Sequence, residues 1–388
     1  MSRSPVLAVA LLLTAAPGAA AQLPGILSPG SHLLNRWYPK LFWTPSEGFH
    51  AGGFFAIEAP MTYATYDDPQ PYVAAVTLDG QAATSGSRSL SLDAFAPALA
   101  DGWRFRLTVA AERRNRENYF GLGNDTEIDD SLDARDHFYH ARRARQYARG
   151  EIQRRIIGGL RVLLGAHAER WSTDTLVTDS RLAADLGTVV EPGVWTGDRA
   201  ARVGLVYDTR DHESAPRRGV LVEAIHGVGE SGGEAYSRTT GSVRGYLTVA
   251  ERFTFATRVA GQRMGGDPGI GSLYLFEASD RPFEALGSSR SHRALPDRRF
   301  LGEHVLLGNL DLQYTAYEVP TLIRAVVVAY VDVGRVFHNE AFRLTTDDLH
   351  VGGGLGLLLH VSRNGVLGLS GGRGPDGVVV QSHFSWPY

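Results

Sequence analysis

The chain has no cysteine, and only 3 of its 388 residues are methionine. A disulfide framework, a thiolate zinc site and a cysteine nucleophile are therefore excluded. It has little net charge, −3 at pH 7. That balance argues against a general nucleic-acid binder, so no nucleic-acid partner is expected. It lacks an apolar run long enough to cross a bilayer as a helix, since Val6–Thr14 is too short. After residue 40 it also lacks any sustained helical period. Its 13 histidines show no H-E-x-x-H or paired ligand spacing. No metal is expected on that count, and no other cofactor.

What is present points elsewhere. The apolar share of 43%, with 10% aromatics, excludes disorder. Arg3, the apolar segment Val6–Thr14 and Ala19-Ala20-Ala21 before Gln22 read as a secretory signal peptide over residues 1–21. Residues 22–48, with Pro24, Pro29, Pro39 and Pro45, read as an extended periplasmic tail. From residue 49 to 388 apolar and polar residues alternate with period two. Examples are Trp103/Phe105/Leu107/Val109 and Leu306/Leu310/Leu312/Tyr314. The segments run to about ten residues or more, and aromatics recur near their ends (Trp103, Trp171, Phe253, Tyr314, Trp386), as in interfacial girdles. Connections are either short, as at Tyr317–Pro320 and Arg363–Gly365, or long, as at 124–135, 174–197 and 265–301. This is the pattern of an all-β transmembrane antiparallel barrel, with about 16 to 18 strands, nearer 16, at roughly 20 residues per strand and connection. A closed barrel is the only sheet that pairs all its backbone groups in lipid.

Several motifs suggest chemistry and are outweighed by their context. Gly227–Gly232 fits G-x-G-x-x-G, and Gly229–Gly233 fits G-x-S-x-G. Neither precedes a helix, which a pyrophosphate site or a nucleophile elbow requires. The acidic stretch Asp125–Asp136 lacks the spaced D-x-D-x-D-G loop of a calcium site. Arg142, Arg143, Arg145, Arg149, Arg154 and Arg155 fall largely on one strand face and read as lumen or rim lining. No convincing Ser–His pair is found, so no enzyme activity is expected.

Further segments resemble the Omp85 superfamily, the barrels of the surface-antigen D15 and BamA/TamA type. They are Asn118–Asn124 (NYFGLGN), and Tyr207–Asp211 (YDTRD) followed by Pro216 and Gly219. Tyr330-Val-Asp332-Val-Gly334 and Gly354-Leu-Gly356-Leu continue the series, with Leu358 where the family pattern has Arg. The alternating aromatics Phe384, Trp386 and Tyr388 are similar to the family's C-terminal assembly signal. His292–Phe300 resembles the signature loop that folds back into the lumen. Arg293, Pro296, Arg299 and Phe300 keep their places, while Ala294 and Leu295 replace a glycine and an aromatic. The resemblance implies a changed turn there and a lost stacking contact. It also implies a Gram-negative outer-membrane location and contact with outer-membrane lipid and lipopolysaccharide. The barrel-assembly machinery would be a partner during biogenesis, and a polypeptide or lipid would be the client. The family's POTRA repeats are not found ahead of this barrel.

Periodicity supports one family feature separately. On the segment 325–334 the set Ala325, Val327, Ala329, Val331, Val333 faces lipid, so Tyr330, Asp332 and Gly334 face the lumen. A carboxylate there calls for a cation, and a bidentate Arg fits best. Arg293 is expected to pair with Asp332 and pin the loop. By resemblance the activity is assisted insertion or translocation of protein or lipid, gated by that loop and a seam between first and last strands. The alternatives are a passive porin-like channel and a structural surface protein.

Glycine is in excess, 45 residues. Gly265-Gly266 and Gly371-Gly372 read as turn or loop positions. Gly352, Gly354 and Gly356 read as lumen-facing strand positions that leave room for the Arg293 loop.

Overall fold

The computed structural model describes residues 33–383, apart from 45, 66, 186–192, 280, 285 and 321. The expected signal peptide, residues 22–32, and Phe384, Trp386 and Tyr388 lie outside the described residues.

One antiparallel sheet of 16 strands makes up nearly all of the protein. It begins with β1 (Leu34–Thr44), β2 (Gly48–Ala59), β3 (Ala74–Ala83), β4 (Arg88–Ala100), β5 (Trp103–Asn118) and β6 (His140–Ile157). It continues through β7 (Leu160–Thr175), β8 (Thr196–Asp208), β9 (Gly219–Ser231), β10 (Glu234–Val249) and β11 (Phe253–Gly266). The small hairpin β12 (Leu275–Phe276) and β13 (Phe283–Glu284) stands apart from this sheet. The last strands are β14 (His304–Val319), β15 (Ile323–Phe337), β16 (His350–Val361), β17 (Gly365–Gly374) and β18 (Gly377–His383). Each strand pairs with its neighbours in sequence, and β11 pairs with β14. The sheet curls until the turn between β16 and β17 meets β2 and the connection after it. Asn364 Nδ2 donates to Glu58 Oε1 (3.0 Å), and Arg363 Nε donates to the Gln70 carbonyl (3.1 Å).

Alternation explains the curl and its solvent. Outward side chains such as Val331, Leu355, Leu357 and Leu310 are exposed, while inward Asp332, Asp311 and Arg258 are fully buried. A sheet that is apolar outside and charged inside is the pattern of a membrane barrel. The longest connections (119–139, 267–303, 338–349) share one rim, and the other rim carries mostly short turns (for example 101–102, 158–159, 320–322).

Three expectations need correction. The barrel does not start at residue 49, because β1 covers 34–44 inside the segment read as a tail. Pro39 misled that reading. It sits opposite Gly53 in a strand whose ladder runs to β2, and an end strand tolerates a residue that cannot donate. Trp171 is not a girdle residue, since it points into the lumen and is 2% exposed. Gly371 and Gly372 are not turn residues but lie mid-strand in β17.

Candidate functional site

The connection between β11 and β14, residues 267–303, is the longest between strands of the sheet, and most of its described residues are buried. Ile270–Leu273 form one helical turn, and β12–β13 form a hairpin whose Phe276 and Phe283 rings stack at 4.5 Å. Phe276, Phe283, Leu286, Leu295 and Phe300 build an apolar cluster with Ala260, Val305, Leu307 and Val336 of the wall. The loop therefore carries a core of its own into the lumen.

Arg293 is the centre of its attachment. The β14–β15 register sets Asn309 opposite Asp332 and Asp311 opposite Tyr330, all on the lumen face. The Arg293 backbone N–H and Nε donate to Asp332 Oδ2 (2.7 and 2.9 Å). Its Nη2 donates to Asp332 Oδ1 (2.7 Å) and Asp311 Oδ1 (2.6 Å). Asn309 Nδ2 donates to Asp332 Oδ1 (2.6 Å) and to the Ser291 carbonyl (2.8 Å). The guanidinium lies 4.0 Å from the Tyr330 ring centroid, a cation–π contact. All three charged side chains are 0% exposed. A buried pair of this kind holds only when its lone pairs and donors are met, as they largely are here.

The wall is shaped to admit the loop. Asp332 is opposite Gly352, Tyr330 is opposite Gly354, and Gly354 is opposite Gly372. A Cβ at Gly352 would lie 2.6 Å from the Ala294 Cβ, and one at Gly372 would lie 3.1 Å from it. Ala294 thus occupies space that strand glycines vacate. Its φ is not positive, so alanine is tolerated in the turn where the family pattern has glycine. Leu295 packs in the apolar cluster, and Leu358 lies beneath Ala294 with Val326, Val328 and Tyr330. Gly334 leaves space for Leu286, and Gly356 is buried between Val328 and Ser370.

The other motif residues form a second attachment at the long-loop rim. Arg299 Nε donates to Asp376 Oδ2 (2.9 Å), its Nη1 donates to Thr126 Oγ1 (2.8 Å), and it lies over the Phe300 ring at 4.1 Å. Phe300 stacks on His350 at 3.9 Å. Pro296 is half-buried, and its carbonyl faces Gly287, whose φ of +101° requires glycine. Burial opposes the Arg298 charge, but Glu117 and then Glu284 outweigh it and raise its pKa.

A third attachment was not foreseen from sequence. Glu277, buried at the head of the loop, receives Arg149 of β6 and, at 3.1 Å, Arg202 of β8. Arg202 also reaches Glu151 (2.7 Å). Nearby, Asp198 accepts from Ser272, and Trp171 lies against Gly269 and Gly271. Arg149 was read as lumen lining. Asp311, Asn309, Glu277 and Arg202 were missed, although strand parity alone places Asp311 on the face of Asn309.

Fold and lumen together define a class: an outer-membrane β-barrel of 16 strands whose lumen is occupied by one long, ion-paired loop. The chain belongs to the Omp85 superfamily, whose domain matches residues 75–359. Among solved structures it is similar to BamA from Haemophilus ducreyi lacking POTRA domains 1–3. The TM-score is 0.51 at 13% identity, covering 90% of this chain and 70% of that one. It is similar to CdiB from Escherichia coli, with a TM-score of 0.58 at 12% identity, covering 92% and 62%. It is also similar to CdiB from Acinetobacter baumannii, with a TM-score of 0.50 at 11% identity, covering 90% and 59%. At these identities the likeness is one of fold. No curated protein matches the chain.

Proposed function

We propose that this barrel assists insertion or translocation of protein or lipid at the outer membrane, with the Arg293 loop as its gate. The observation that carries this reading is the loop itself. A passive channel needs a clear lumen, whereas here the loop between β11 and β14 lies inside it and is held by Arg293, Glu277 and Arg299. A lumen occupied by a tethered loop suits a machine that opens for a client rather than one that conducts steadily. The sheet supplies a companion feature, since among the described residues no ladder joins β1 to β18. A client or lipid would pass between these end strands. The test is deletion followed by outer-membrane proteome and lipid profiling, beside planar-bilayer conductance of the purified protein. Altered profiles with low basal conductance are expected. Unchanged profiles with a large steady pore would establish the passive channel instead.

A further inference from the structure

The loop does not fill the lumen evenly. Between its tip, β1–β4 and the short-turn rim lies a cavity of about 670 Å³, within the range of small-ligand sites. Seven cationic side chains and three carboxylates line it. Five of the cations are matched by carboxylates: Arg36 by Glu58, Lys40 by Asp79, Arg106 by Asp93, Arg210 by Asp208 and Arg244 by Glu223. The two that belong to the loop, Arg281 and Arg290, have no carboxylate partner among the described residues. Arg290 Nη1 and Nη2 donate only to the Pro282 and Arg281 carbonyls (3.3 and 3.2 Å), and its Nε is buried without a partner. Burial, and then the Arg281, Arg244, Arg258 and Arg106 guanidiniums, push its pKa down to about 9. Arg281 is exposed at the cavity and Arg290 is half-buried beside it, and like charges gathered this closely favour an anion between them.

The remaining lining gives the anion a body. Tyr72, Phe95, Phe54 and Val366 are apolar or aromatic, and Leu41 and Leu367, both exposed on the outer wall, border the same cavity. Guanidinium forks at one end and an apolar wall reaching the lipid face at the other suit an amphiphile with an anionic head.

We propose that this cavity binds a phosphate-bearing ligand, with Arg281 and Arg290 holding the phosphate and the aromatic wall holding an acyl body. The proposal does not depend on the gating role of Arg293. Calorimetric titration of the full chain in a maltoside detergent would test it, using dihexanoyl phosphatidylglycerol, inorganic phosphate and uncharged dihexanoylglycerol as probes. Dihexanoyl phosphatidylglycerol is expected to bind at least tenfold more tightly than dihexanoylglycerol. R281S/R290S is expected to lower that affinity at least tenfold while keeping the heat-modifiable gel migration of the folded barrel. Inorganic phosphate binding as tightly as the phospholipid would support the anion site and assign its ligand to free phosphate. Absence of binding by both phosphate probes, or equal binding by R281S/R290S, would overturn the site. Should that variant not fold, salt decides with the native chain: affinity that is unchanged between low and high NaCl overturns an arginine-held phosphate.

Discussion

The two sides of the lumen are built differently. The side formed by β14–β18 grips the loop through charge and through missing side chains: Asp311 and Asp332 take Arg293, and Gly352 and Gly372 receive Ala294. The side formed by β1–β5 leaves a cavity, and its ions pair within the wall, as Lys40 does with Asp79 and Arg106 with Asp93. One wall is thus complementary to a segment of its own chain, and the other borders an open cavity. The same barrel chemistry, lumen charges on alternate residues, yields a lock on one side and a vacancy on the other. The difference lies in whether a loop residue completes the charge set.

That contrast can be broken most severely at the lock. Arg293→Ala leaves Asp311 and Asp332 buried without their cation, which costs about 3–5 kcal/mol. A lower unfolding temperature, protease cleavage within 267–303 and raised bilayer conductance are expected. Conductance and proteolysis equal to the native protein would show that Glu277 and Arg299 suffice. Gly372→Val is the next largest. Its side chain meets Ala294 and Tyr330, and overpacking of this kind costs about 1–3 kcal/mol. The same protease pattern should appear, in weaker form, and adding Ala294→Gly should partly reverse it.

A smaller effect is expected at the short-turn rim. His212 lies in the β8–β9 connection, where its Nδ1 accepts from the backbone N–H groups of Ser214 and Ala215 (3.1 Å each). Burial, and then Arg363, push its pKa down to about 4 from an ordinary 6.5. Because the folded value is depressed, the stability it lends is complete above about pH 6.5 and is lost as pH falls toward 4. Hydrogen exchange of residues 209–218 should accelerate across that window while the Arg293 segment stays protected. Exchange that is independent of pH would mean the ring does not hold the turn. Smallest of all, Lys40→Ala removes a part-exposed ion pair worth less than about 1 kcal/mol. It should leave loop proteolysis unchanged, and a change there would show that the two sides are coupled.

Much of this was legible in one sequence because a membrane barrel imposes a rigid period. Parity alone placed Asp332 in the lumen and Val331 in lipid, and the length of the alternating region bounded the strand number to about 16 to 18, although β1 lay outside the stretch counted. Arg293 could be matched to Asp332 because a buried carboxylate calls for a cation and a family motif singled one out. The parts that escaped detection depend on distance or position. Nothing local marks Glu277 as the partner of Arg149 and Arg202, which lie on β6 and β8. Trp171 looked like a girdle residue because strand-end aromatics are common, and only its parity with Leu163 shows that it points inward. Gly371-Gly372 resembled a turn because a glycine pair usually marks one. Here the pair is needed for clearance. The prolines hid β1, since an end strand obeys looser rules than a central one.

The loop joins β11 to β14, which are neighbours in the sheet, yet the residues that grip Arg293 come from β14 and β15, which follow it in the chain. The seat therefore does not exist until strands made after the loop have paired. The register of β14 against β15 and the seating of the loop thus bring the same residues together, so anything that shifts that register also unseats the plug.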